Sequence, residues 1–149
     1  MDSTRFELGT DGPTRILVGV DGTETSLRAA AYAAGLARRQ GAKLTLVFVK
    51  TGPPPTVAMP EAVIAMNQSR DEIAADLSRQ IHEQAPRLGI EAEIVVREGS
   101  PYGELLRVAE ELRVDAIVVG ASTQAGHRLV GSLATRLVRH ASWPVTVVP

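Results

Sequence analysis

Ala116-Ile117-Val118-Val119-Gly120 is followed by Ala121-Ser122-Thr123-Gln124-Ala125-Gly126-His127-Arg128-Leu129-Val130-Gly131-Ser132, and the chain closes on Pro144-Val145-Thr146-Val147-Val148. The two β-branched runs read as buried strands, and the small, glycine-bearing segment between them reads as a loop. A helical pattern opens at Ser132, where the serine is placed as N-cap, and runs to about Ser142. In an α/β protein, a loop of this kind can wrap a phosphate chain and aim a helix N-terminus at it.

The same unit recurs upstream. Arg15-Ile16-Leu17-Val18-Gly19-Val20 is an apolar run ending at Asp21-Gly22, and it reads as a parallel strand buried on both faces. Thr23 or Thr25 caps a helix from about Glu24 to Gln40, which Gly41 stops. Leu44 to Val49 is a second strand, and Thr51-Gly52-Pro53-Pro54-Pro55-Thr56 breaks regular structure. A long helix follows from Pro60 to about Leu88, with an apolar stripe through Ala62, Ile64, Ala65, Ile73, Leu77 and Ile81; Pro86 is expected to cut it short. Ile90 to Arg97 alternates and reads as a strand nearer the sheet edge, while Ser100 and Pro101 are placed as N-cap and first residue of another helix. Val114 to Gly120 completes the fourth strand.

Strands alternating with helices imply an α/β fold: a parallel sheet with helices on both faces and right-handed crossovers. Ligands in such sheets sit beyond the carboxyl ends of the strands, where the strand order reverses. If strands one and four are central neighbours, that crevice lies between Asp21 and Gly120.

Composition limits the function classes. At 149 residues one domain is expected, with residues 1–14 a flexible N-terminal arm and 15–149 the domain. The absence of cysteine excludes disulfides, thiol catalysis and Cys-ligated zinc. A net charge of −1 without basic runs argues against a nucleic-acid partner. The polar N-terminus and the lack of a membrane-length apolar stretch make a cytoplasmic protein with no membrane partner the expectation. His82, His127 and His140 are far apart in sequence, so no protein-only metal site is expected.

Several segments, in their order and spacing, resemble the universal stress protein family over nearly the whole chain. They are Ile16-Leu17-Val18-Gly19-Val20-Asp21-Gly22 with Thr25-Ser26, Leu44 to Val49, Val96-Arg97-Glu98-Gly99-Ser100-Pro101, Asp115 to Ser122, Gly131-Ser132, and Arg139 to Val148. The resemblance implies a five-stranded parallel sheet of order 3-2-1-4-5, Rossmann-like and similar to the adenine nucleotide alpha hydrolases. It also implies a homodimer paired through the last strand, and in many members ATP as ligand. Nucleotide-binding members carry Gly, two residues, Gly, nine residues, Gly, then Ser or Thr. This chain keeps Gly120 and Gly131-Ser132, has Thr123 in place of the second Gly, and has a loop two residues shorter; Gly126 supplies a glycine inside that loop.

Candidate ligand residues follow. The Asp21 carboxylate can accept hydrogen bonds from adenine or ribose or help hold Mg²⁺, or it can simply form a turn with Gly22. The resemblance assigns the Val49 backbone to adenine and puts Gly99 near the nucleotide, though Gly99 equally suits the turn before Ser100. Gly120, Gly126, Gly131 and Ser132 are the phosphate candidates, and Arg128 can pair with a phosphate. Two functions stay open: an ATP-binding stress-response protein acting through dimer or protein-partner contacts, and a non-nucleotide-binding interaction module of the same fold. A slow ATPase ranks behind both, because the chain signals no general base or Ser/His/Asp triad.

Overall fold

The fold is built on a strand that is buried on both sides. In the computed structural model, which describes residues 12–122 and 131–149, Ile16, Leu17 and Val18 are fully buried. They lie in β1 (Arg15–Val20), the middle of a parallel sheet. The elements alternate: β1, α1 (Glu24–Gln40), β2 (Lys43–Lys50), α2 (Pro60–Leu88), β3 (Ala92–Glu98), α3 (Pro101–Glu111), β4 (Ala116–Gly120), α4 (Ser132–His140) and β5 (Val145–Val148). The sheet order is β3-β2-β1-β4-β5, as the family resemblance implied. Register pairs Val18 with Leu46 on one side and with Val118 on the other.

The period of two along each strand sorts side chains between two cores. Ile16, Val18, Val20, Leu44, Leu46 and Phe48 pack with Ala29, Ala33 and Ala37 of α1 and Leu77 of α2. Leu17, Val47, Ile117 and Val119 pack with Leu105 and Val108 of α3 and Leu137 of α4. Each fully buried aliphatic side chain contributes roughly 1.5–3 kcal/mol over exposure. The alanines at four-residue spacing let α1 approach the sheet closely.

Thr23 caps α1, its hydroxyl accepting from the Ser26 N–H at 3.3 Å, and Gly41 ends the helix at φ 64. At the opposite end of the sheet from the carboxyl ends of the strands, Asp115 clamps the start of β1. Its Oδ2 accepts from the Thr14 N–H and hydroxyl (both 2.9 Å) and from the Arg15 N–H (3.0 Å).

Several local expectations need correction. Pro86 does not cut α2 short: the helix runs to Leu88, with Pro86 inside its last turn. The only intrahelical bond a proline there removes is the one to the His82 carbonyl. Gly89, at φ 67, then closes the helix, its N–H bonding to Pro86 O while the Ile90 N–H bonds to Ala85 O. The first half of the α2 stripe is not buried, since Ile64 is 57% exposed; Ile73, Leu77 and Ile81 reach the core. Ser100 stands at the N-cap of α3 but makes no side-chain capping bond. Ser132 is the first helical residue of α4 rather than its N-cap; Gly131 holds that place at φ 83, ψ 156.

Candidate nucleotide site

β1 leads through α1 to β2 on one side, and β4 leads through α4 to β5 on the other, so the strand order reverses between β1 and β4. A cavity of about 460 Å³ opens there at the carboxyl ends of the strands. Asp21, Val49, Gly120, Gly131 and Ser132 all line it. Residues remote in sequence meet because each follows or ends a strand of the same parallel sheet.

Gly19, Val47, Leu105 and Val119 form an apolar part of the wall, with Thr23, Thr25, Ser26 and Ser122 adding hydroxyls. Gly19 keeps the wall thin: a Cβ there would come within 3.3 Å of a Leu105 methyl. Among the described lining residues Asp21 alone is charged.

Asp21 is held in a tight local network. Its Oδ1 accepts from the Thr23 N–H at 2.9 Å and from the Thr23 hydroxyl at 2.6 Å. Its own N–H donates to Ser26 Oγ at 3.2 Å, and the Ser26 hydroxyl donates to Thr23 O at 2.9 Å. The turn role and the ligand role therefore fall on different oxygens: Oδ1 builds the turn, and Oδ2 has no hydrogen-bond partner among the described residues.

Gly120 is required by packing as well as by its place in the wall. The backbone at the start of α1 lies directly on it, so a Cβ would meet Thr25 C and O at 2.6 Å. Gly131 is required by its backbone, because φ 83 is a region that L side chains rarely adopt. A Cβ there would also lie 2.9 Å from Ser122 Cβ, which shows how closely the two ends of the 120–132 segment approach each other. The first turn of α4 carries no acidic side chain, so its positive end is not neutralised locally.

Gly99 is not in this cavity. It ends β3 at φ 132, donates its N–H to Lys50 O at 3.0 Å, and borders a separate polar depression with Lys50, Asn67 and Asp71. Gly126 and Arg128, like Thr123 and His127, lie outside the described residues. Reading the sequence missed Leu105, Pro101 and Ser122 as wall residues. The sequence reads Pro101 only as a helix start, although it belongs to a segment that carries the family resemblance, and no motif marks Leu105; the packing of α3 against β2, with Leu105 against Gly19 of β1, brings it there. Among the described residues no cluster of three or more His, Cys, Asp or Glu side chains could hold a metal ion. No described helix is long and apolar enough to cross a membrane.

Known proteins share this architecture. A universal stress protein of Methanocaldococcus jannaschii is 28% identical over 138 residues, covering 90% of this chain and 81% of the relative. The universal stress protein UspA of Lactobacillus plantarum superposes with a TM-score of 0.73 at 25% identity, over 91% of this chain and 97% of that one. A universal stress protein crystallised in complex with cAMP superposes with a TM-score of 0.69 at 26% identity, over 93% and 99% of the two chains. The model of the universal stress protein family matches residues 13–149. The chain belongs to the universal stress protein family.

Proposed function

We propose that the cavity binds an adenine nucleotide, with ATP as the ligand, and that binding acts in a stress response by changing what the protein contacts. The observation that carries this reading is the convergence of Asp21, Val49, Gly120, Gly131 and Ser132 on one cavity at the switch point. Its volume of about 460 Å³ lies within the usual range for small-molecule sites. The apolar wall suits a purine, and the Val49 backbone at the end of β2 offers it hydrogen bonds. The glycine-flanked segment and the unneutralised end of α4 suit phosphates. The relative crystallised with cAMP supports an adenine ligand in this fold.

The donor set fits a metal only as a companion of the nucleotide. The Oδ2 of Asp21, without a hydrogen-bond partner among the described residues, is one carboxylate oxygen, and Mg²⁺ bound through one or two carboxylates plus substrate phosphates is the usual arrangement. Arg128, outside the described residues, is the cation of the 120–132 segment able to pair with a phosphate.

A route from ligand to contacts runs through one hydrogen bond. The Ala121 N–H donates to Val148 O at 2.8 Å, so the end of β4 that borders the cavity is tied to β5. β5 is an edge strand, open to pairing with a second copy. A homodimer joined through β5 would feel a shift of Ala121 on ligand binding.

Calorimetric titration of nucleotide-stripped protein with ATP and Mg²⁺ tests the reading. Saturable binding at one site per subunit, weakened by Asp21→Ala, is the expected result. Absence of binding at millimolar ATP would leave the cavity closed to nucleotide and favour the interaction-module reading.

A further inference from the structure

The first turns of α3 and α4 meet at the cavity end of the sheet. Pro101 and Leu105 of α3 and Ser132, Leu133 and Ala134 of α4 line the cavity from that side. Just outside this wall, the Arg136 guanidinium lies over the Tyr102 ring, 3.9 Å from its centroid. Tyr102 is the second residue of α3 and packs against the core beneath that helix, so the ring is anchored beside Pro101.

Helix geometry explains where Arg136 points. It follows Ser132 by four residues, so the two stand about 40° apart around α4 and about 6 Å apart along it. A helical side chain leans back over the preceding turn, which directs Arg136 towards Ser132. The contact with Tyr102 places the guanidinium independently at the first turn of α3, level with the same end of the cavity.

Arg136 is exposed, and no ion pair or hydrogen bond joins it to another described residue. The acidic side chain in the first turn of α3, Glu104, is paired with Arg107 at 2.7 Å, and α4 has no acidic residue of its own. A guanidinium stacked on a ring keeps its N–H groups at the edge of the stack, free for a second, bidentate partner such as a phosphate. The one charge among the described lining residues is the Asp21 carboxylate, so this cation at the border of the wall has an anion to meet only when a ligand brings one.

We propose that Arg136, held on Tyr102, takes the terminal phosphate of the nucleotide and makes the site prefer a triphosphate to a monophosphate. The role rests on the nucleotide reading and falls on a residue that the family resemblance does not name. Arg136 stands one turn down α4 from Ser132. A monophosphate at Ser132 ends short of it, and a chain two phosphates longer reaches it. Tyr102 holds the guanidinium in place beforehand, so less ordering is left to be done on binding.

Calorimetric titrations with ATP and with AMP, each with Mg²⁺, on the parent and on Arg136→Met test the role. Methionine keeps an unbranched apolar stem between the helices and removes the charge. The parent is expected to bind ATP more tightly than AMP. In Arg136→Met, ATP affinity should fall about tenfold or more while AMP affinity stays within about twofold, as loss of a charge-assisted contact to one phosphate requires. Equal losses for both ligands, or an unchanged ratio of the two affinities in a folded variant, would overturn the role of Arg136 and leave the nucleotide reading standing. In the second case a lower melting temperature of the ligand-free variant would reduce the pair to a staple between α3 and α4. Binding of neither ligand by the parent would overturn the nucleotide reading and the role of Arg136 together.

Discussion

Gly120, at the end of β4, lies against the peptide of Thr25 in the first turn of α1, so close that a Cβ would stand 2.6 Å from Thr25 C and O. The contact joins the two sides of the switch point. It makes Gly120 a packing residue of the fold as well as part of the cavity wall. Gly120→Ala is expected to cost about 1–3 kcal/mol of stability, the usual range for forcing an extra methylene into a packed site. Urea unfolding measures this. A stability unchanged within error would mean that α1 can retreat without cost.

Gly131 differs, because its constraint is conformational and local. At φ 83 a β-branched side chain is strained by about 1–3 kcal/mol. Gly131→Val is expected to abolish nucleotide binding while far-UV circular dichroism stays nearly unchanged. Full affinity in a folded Gly131→Val variant would remove Gly131 from the phosphate cradle.

Asp115 gives a pH dependence. Partial burial of its carboxylate works to raise its pKa, but the hydrogen bonds from the Thr14 N–H and hydroxyl and the Arg15 N–H, with the Arg15 charge, outweigh that and hold it below the ordinary value. A carboxylate with a depressed folded-state pKa contributes stability that is present above the unfolded pKa. That stability is lost as pH falls through the folded pKa. Asp115→Asn should therefore be less stable than the parent at pH 7, and the difference should shrink as pH drops below about 4, where free Asp titrates. Because the group is largely exposed, the effect is a modest one. Thermal melts of both proteins across pH 2.5–7 (a range set by the ordinary Asp pKa, about 3.9) check the sign; a difference that grows in acid contradicts the clamp.

β5 tests the dimer. Val147 and Val145 pack into the core beneath α4, whereas Thr146 is exposed. Thr146→Lys places a charge on the outer edge without opening the core, a device that natural edge strands use against pairing. Sedimentation should show the variant shifted towards monomer relative to the parent. An unchanged mass distribution would contradict a dimer paired through β5.

Much of the fold was legible because the strands that decide it are buried on both faces. Ile16 to Val18 and Ile117 to Val119 have no polar interruption, and that pattern belongs to the interior of a parallel sheet. The edge position of β3 was legible from its alternating charges. Helix ends were less so, because one residue decides them. Pro86 ends helices in most settings, but here Gly89 and the buried Ala85 hold the last turn together around it. Ser132 has the chemistry of a cap, yet Gly131 can adopt a backbone angle that serine cannot, and it takes the position.

The site was legible where the sheet topology dictates it. Asp21, Val49 and Gly120 must converge once β1, β2 and β4 are neighbours. Contacts across long sequence separations were not. Asp115 clamps Thr14 across 101 residues, and no local pattern announces it. Gly99 was drawn to the site by resemblance, but its N–H is committed to Lys50 O, away from the cavity.

The proposed adenine nucleotide sits at the switch point with its phosphates against the 120–132 segment. Amide chemical-shift mapping of ¹⁵N-labelled protein titrated with ATP and Mg²⁺ tests it most directly. Saturable shifts are expected to concentrate at Asp21, Lys50, Gly120, Ala121, Gly131 and Ser132, with Thr14 and Asp115 at the far end of the sheet unmoved. Saturable shifts elsewhere with these amides silent, or no shifts at millimolar ATP, would contradict it.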